Sequence, residues 1–182
     1  MNTIKKRQMA IEAVRIINNF VGDLVVSMQC IDEKQIDKLE LKDRLVRDTY
    51  RRMCYAFLLI TLTKWCEVYR RYKSVLPIGC KSECKELTKT IEQRRIPDFR
   101  NNYIGHIWDK ELKRPLLFEE IDKHLIDIGL DDEIGFLKWV NDPSNNTFPN
   151  TVVSVVEYVR DQLINDFALS DADLFVQNTY AG

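Results

Sequence analysis

Glycine and proline are scarce in this chain of 182 residues, six of one and five of the other. That scarcity removes most of the turn chemistry a many-stranded β protein needs and favours long regular elements. Long hydrophobic runs are also missing. The main uncharged apolar stretch, Met53 to Thr63, has 11 residues, whereas crossing a bilayer takes about 20. The first residues, Met1-Asn2-Thr3-Ile4-Lys5-Lys6-Arg7, lead into an amphipathic pattern and not into a signal-peptide core. Cysteine is present as an odd set of five, Cys30, Cys54, Cys66, Cys80 and Cys84, without a framework of spacings. These read as reduced thiols of a cytoplasmic protein.

Several chemistries lack their residues. Cys80 and Cys84 stand one helical turn apart, and with His124 they hint at a metal, but no second pair completes a zinc set. The acidic pairs Glu119-Glu120 and Asp131-Asp132 lack the glycine and alternating spacing of a calcium loop and read as helix-start charges. Neither a glycine-rich phosphate loop nor a Ser-His-Asp spacing occurs. No metal and no cofactor is therefore expected. Net charge is only −1, so no global basic field advertises nucleic acid. The distribution says more: residues 1–110 hold 22 Lys/Arg against 14 Asp/Glu, and residues 111–182 hold 5 against 14. A basic half and an acidic half suit an RNA-facing surface with a second surface for a basic partner, or attraction between the halves within one fold or dimer.

Apolar spacing carries the fold. Ala10, Val14, Ile17, Val21, Leu24, Val25 and Met28 recur at steps of three and four, which predicts an amphipathic helix over 5–29. Residues 29–42 read as a polar connection. Residues 43–72 form the strongest helical pattern; its uncharged centre predicts a core helix with neighbours on every side. Ser74 to Gly79 is a break, and 80–95 a surface helix with Leu87 and Ile91 inward. A helix over 116–129 has Leu117, Ile121, Leu125 and Ile128 as its stripe and stops at Gly129. A short one follows through Val140. The valine-rich segment 151–167 has β-branched density that favours strand, but Val152, Val155, Val156, Val159, Leu163 and Phe167 keep helical spacing, which decides for helix. The expectation is an all-α helical bundle of about five or six helices, with one domain over 1–169 and a loose tail over 170–182.

The chain has two histidines, and one of them stands in the most informative stretch, Pro97-Asp98-Phe99-Arg100-Asn101-Asn102-Tyr103-Ile104-Gly105-His106-Ile107-Trp108-Asp109. Pro97 and Asp98 suit a helix's first turn. Arg100 then falls in the opening turns, and His106 lies about two turns along. A histidine moves protons near neutral pH, an arginine offers a planar fork of donors to a phosphate, and an asparagine can orient either. Six residues leave Arg100 and His106 about 120° apart on an ideal helix. The reach of arginine, a local π-bulge or a second copy of the segment would be needed to join them; otherwise the two are unrelated surface and half-buried residues.

An arginine followed by a polar residue and, five residues later, a histidine, on a helix of an all-α chain, resembles the HEPN ribonucleases, among them the abortive-infection, type-U-like HEPN proteins of bacteria. The resemblance implies a metal-independent endoribonuclease of a toxin or phage-defence system, working as a homodimer with motifs face to face. His106 would be general acid and base on the ribose 2′-hydroxyl or leaving 5′-oxygen. Arg100 would hold the scissile phosphate, and Asn101 would help to orient them. It also implies a regulatory protein such as an antitoxin. Some toxin members carry a tyrosine two residues after the histidine as a target for nucleotide transfer; here Trp108 stands there, so that control is not expected. Arg94 and Arg95 upstream, and Lys110, Lys113 and Arg114 downstream, are candidates for the RNA backbone, or simply solvated helix ends. Tyr103 could stack a base or serve the core. The alternative function is a non-catalytic HEPN-like module that binds RNA, nucleotide or a protein.

Overall fold

The spacing of α1 (Thr3–Ile31) turns one face inward along its whole length, burying Ala10, Ala13, Val14, Ile17, Phe20, Leu24 and Ile31. In the computed structural model, which describes residues 2–31, 43–101, 113–115 and 117–175, that face lies between α2 (Arg44–Tyr72) and α7 (Val152–Asp166). Val152, Val153, Val155, Val156, Val159 and Leu163 are buried on α7, so helical spacing outweighs valine's β preference once a core is there to receive the face. Each such side chain contributes roughly 1.5–3 kcal/mol on burial. Thr151 caps α7: its hydroxyl accepts from the Ser154 N–H at 3.0 Å, and the Ser154 hydroxyl accepts from the Thr151 N–H at 3.0 Å.

The uncharged centre of α2 is not enclosed on every side. Leu58, Leu59, Thr61, Leu62 and Thr63 are buried, but Met53 is 66% and Phe57 44% exposed. Among the described residues α2 packs mainly on α1, α3 (Lys81–Gln93) and α4 (Ile96–Phe99), and Met53 and Phe57 lie on the flank turned away from them. The buried threonines satisfy their hydroxyls locally, Thr61 on the Phe57 carbonyl (3.0 Å) and Thr63 on that of Leu59 (2.9 Å). All five cysteines are free, with Cys66, Cys80 and Cys84 in the core; burial pushes the Cys66 thiol up to about 11.

α5 (Phe118–Ile128) stops at Gly129, whose φ of 95° is the left-handed region. Leu117 lies before the helix start and is exposed; Ile128 is buried and Leu125 half-buried. After a 3₁₀ turn (Leu130–Asp132), α6 (Glu133–Val140) begins where the Asp132 carboxylate accepts the Gly135 N–H at 2.9 Å. Among the described residues every regular element is helical, and the protein is an all-α bundle. None of these helices is long and apolar enough to cross a membrane.

The end of the chain differs from the loose tail expected from Ser170. Asp171–Leu174 form α8, and three contacts tie it to α1. Arg7 pairs with the Asp173 carboxylate at 2.9 Å, and Arg15 donates to the carbonyls of Asp173 and Leu174 at 2.6 and 3.1 Å. Periodicity misses this because the partners of a four-residue helix lie on the first helix. The connection 32–42 and residues 176–182 lie outside the described residues.

Candidate functional site

The segment from Arg94 to Asn101 turns the chain sharply out of α3 and into a new helix. Arg95, with φ of 55°, is the left-handed hinge; the chain then enters α4 with Pro97 in its first turn. The expected helix start is present. At residues 100 and 101 the backbone widens to π-helical pitch, a local expansion that recurs at functional sites in helices. Arg100 is half-buried, and its Nη1 donates to the Asn101 Oδ1 at 2.8 Å. The asparagine therefore orients the guanidinium beside it. Tyr103, His106, Trp108 and Lys110 lie outside the described residues.

The other basic candidates are mostly engaged within the fold. Arg94 donates to the Ile128 carbonyl at 2.8 Å and lies over the rings of Trp139 (4.7 Å) and Phe136 (5.8 Å). Burial lowers its pKa from the usual arginine range. It joins α3 to the end of α5 and to α6. Arg95 bonds Asp98 (3.2 Å) and Asp127 (3.3 Å). Arg114 grips Glu120 with both terminal nitrogens, at 2.9 and 2.7 Å. Those bonds, with the Leu117 N–H donating to the same carboxylate at 2.7 Å, hold the Glu120 carboxyl down at about 2. Lys113 is exposed. Of this basic set, Arg95 and Arg114 are paired with carboxylates and Arg94 with a backbone carbonyl, whereas Arg100 bonds the neighbouring asparagine.

A cluster that sequence reasoning missed lies beside Phe99. Glu133, at the start of α6, accepts through Oε1 from Arg51 Nη2 at 2.6 Å and from the Tyr55 hydroxyl. Burial, with Glu133 next, pushes the Tyr55 phenol above its ordinary pKa. A cavity of about 260 Å³ opens next to this group. His124, half-buried, has its ring 6.4 Å from that of Phe99. Arg51 and Tyr55 fall on one face of α2, four residues apart, which was the available signal; the carboxylate that unites them comes from 78 residues further on.

No family model and no curated protein matches the chain. Its fold is similar to that of an integron cassette protein, Vpc_cass2, from the mobile metagenome of V. paracholerae. That likeness has a TM-score of 0.69 at 22% identity and covers 90% of this chain and 98% of that one. It extends the fold as a whole, since nearly the full length of both chains takes part, and carries no chemistry.

Proposed function

We propose that the chain is a metal-independent endoribonuclease of HEPN type, acting in a toxin or phage-defence system across a homodimer. Arg100 binds the scissile phosphate and the charge that develops on it. Asn101 orients Arg100, and His106 moves the protons as the 2′-hydroxyl attacks phosphorus and the 5′-oxygen leaves. The observation that carries this reading is the 2.8 Å bond from Arg100 to Asn101 at the head of the segment. It leaves the other donors of the arginine fork for a phosphate, while Arg94, Arg95 and Arg114 serve the fold.

The test is cleavage of total RNA in the presence of EDTA by the wild type, Arg100→Ala and His106→Ala. Chelator-resistant cleavage lost in both variants supports the proposal; cleavage that persists in His106→Ala removes the assigned acid and base. Sedimentation of a strict monomer at working concentration would remove the composite site. A second reading, a non-catalytic helical module that binds RNA, nucleotide or a protein, draws on the same internal pairing of Arg94, Arg95 and Arg114. Fewer uncommitted cations mean weaker backbone affinity, and RNA binding without cleavage is the result that favours it.

A further inference from the structure

The cavity beside Phe99 has a composition that selects a ligand. Tyr55 and Phe99 contribute rings, Leu59 and Leu125 an aliphatic floor, Glu133 a carboxylate and Arg52 a guanidinium. Its volume of about 260 Å³ falls just under the range of about 300–1,000 Å³ typical of sites for whole drug-sized molecules. That space suits a single flat ring system better than a larger ligand.

Electrostatics narrows the occupant further. The Glu133 charge is already compensated by Arg51 at 2.6 Å, so a full cation gains little there. A carboxylate only accepts hydrogen bonds. The bonds from Arg51 and Tyr55 both fall on Oε1, which directs a further donor to Oε2. The matching group is a neutral N–H edge on a flat ring. Arg52 is exposed, with Nη2 donating to the Thr49 hydroxyl at 3.0 Å; its remaining donors suit an anion attached to that ring. A flat ring with an N–H edge and a phosphate is a nucleotide.

We propose that this cavity is a base subsite for a purine, guanine foremost, seated against Phe99 and Tyr55, donating to Glu133 Oε2 and directing its phosphate to Arg52. A fused purine fills the space and offers more π-surface than a pyrimidine, and guanine adds two adjacent N–H donors for the acceptor. Phe99 precedes Arg100 directly, so a base held here sets which linkage of an RNA strand lies at the Arg100 segment. In that respect the inference rests on the ribonuclease reading and names its sequence preference.

Calorimetric titration of the full chain with GMP, AMP, CMP and UMP tests it, using His106→Ala in parallel. The expected order is GMP, then AMP, with both pyrimidine nucleotides at least about tenfold weaker. Glu133→Gln loses about tenfold for GMP, as for one bond to a charged acceptor. Because that change also touches Arg51 and Tyr55, Leu125→Phe and Leu125→Trp fill the cavity and leave the ion pair intact; both abolish binding while thermal melting shows a folded protein. Equal binding of all four nucleotides, or GMP binding that survives the filled cavity, overturns the subsite. GMP binding retained in His106→Ala supports it. Purine-selective binding by a wild type that cleaves no RNA also supports the subsite and defeats the nuclease reading, so the two failures are separable.

Discussion

Replacing Gly129 by alanine tests the placement of Arg94, and with it the division between arginines that hold the fold and arginines that could meet RNA. Two costs are added. At φ of 95° an L side chain is strained by roughly 1–2 kcal/mol. A Cβ at Gly129 would also come 2.2 Å from Arg94 Nη1, so that nitrogen must shift and its bond to the Ile128 carbonyl is lost. Losing that charged bond costs about 1.5–3 kcal/mol. Gly129→Ala is therefore expected to cost about 3–4 kcal/mol, and Arg94→Ala about 2–3 kcal/mol. In the double variant the collision is gone and only the strain is added to the loss of the arginine. Its cost is expected near 4 kcal/mol, about 2 kcal/mol less than the sum of the single changes. Urea denaturation at constant slope measures all four corners of this cycle. Additivity within about 0.5 kcal/mol would refute the contact and return Arg94 to the pool of candidate phosphate ligands.

Other perturbations have definite expected outcomes. The Asp173 carboxyl is held at about 2, below its usual 3.8, first by the backbone and hydroxyl of Ser170 and then by Arg7. The sign is that of a depressed acid: α8 docking is fully supported above about pH 4 and is lost as pH falls toward 2. Hydrogen exchange at Leu174 and Phe175 should rise in that window, and Asp173→Ala should remove the pH dependence. Thr151→Ala breaks the reciprocal cap of α7 and is expected to lower stability by about 1–2 kcal/mol, read from the urea midpoint. Tyr55→Phe removes one of the two donors on Glu133 Oε1 and should cost about 1 kcal/mol; a neutral result would show that the phenol has no share in joining α2 to α6. Ile17→Ala, at a fully buried position of α1, should cost about 2–5 kcal/mol by the same measurement.

Most of the architecture was legible along the chain because it depends on neighbours within a few residues. Steps of three and four placed α1 and α7 and outweighed the β-branched density of Val152 to Val159, while the uncharged centre of residues 43–72 placed α2. Local chemistry marked the ends: Gly129 for a left-handed stop, the acidic pair Asp131-Asp132 for a helix start, Pro97 for a first turn. The start of the Arg100 helix was legible for the same reason, since Pro97, Asp98 and Asn101 act on the backbone or side chain beside them.

What the sequence could not decide is which polar groups are already taken. Arg94 and Arg100 are the same residue type six positions apart. One lies on the Ile128 carbonyl and the rings of α6, the other on the adjacent asparagine. The open flank at Met53 and Phe57, the anchoring of α8 by Arg7 and Arg15, and the meeting of Glu133 with Tyr55 all follow from where helices distant in sequence come to lie. A guanidinium or carboxylate satisfies itself with whatever acceptor or donor packing brings within about 3 Å. Helical periodicity fixes which face of a segment turns inward, and tertiary packing alone chooses what that face meets.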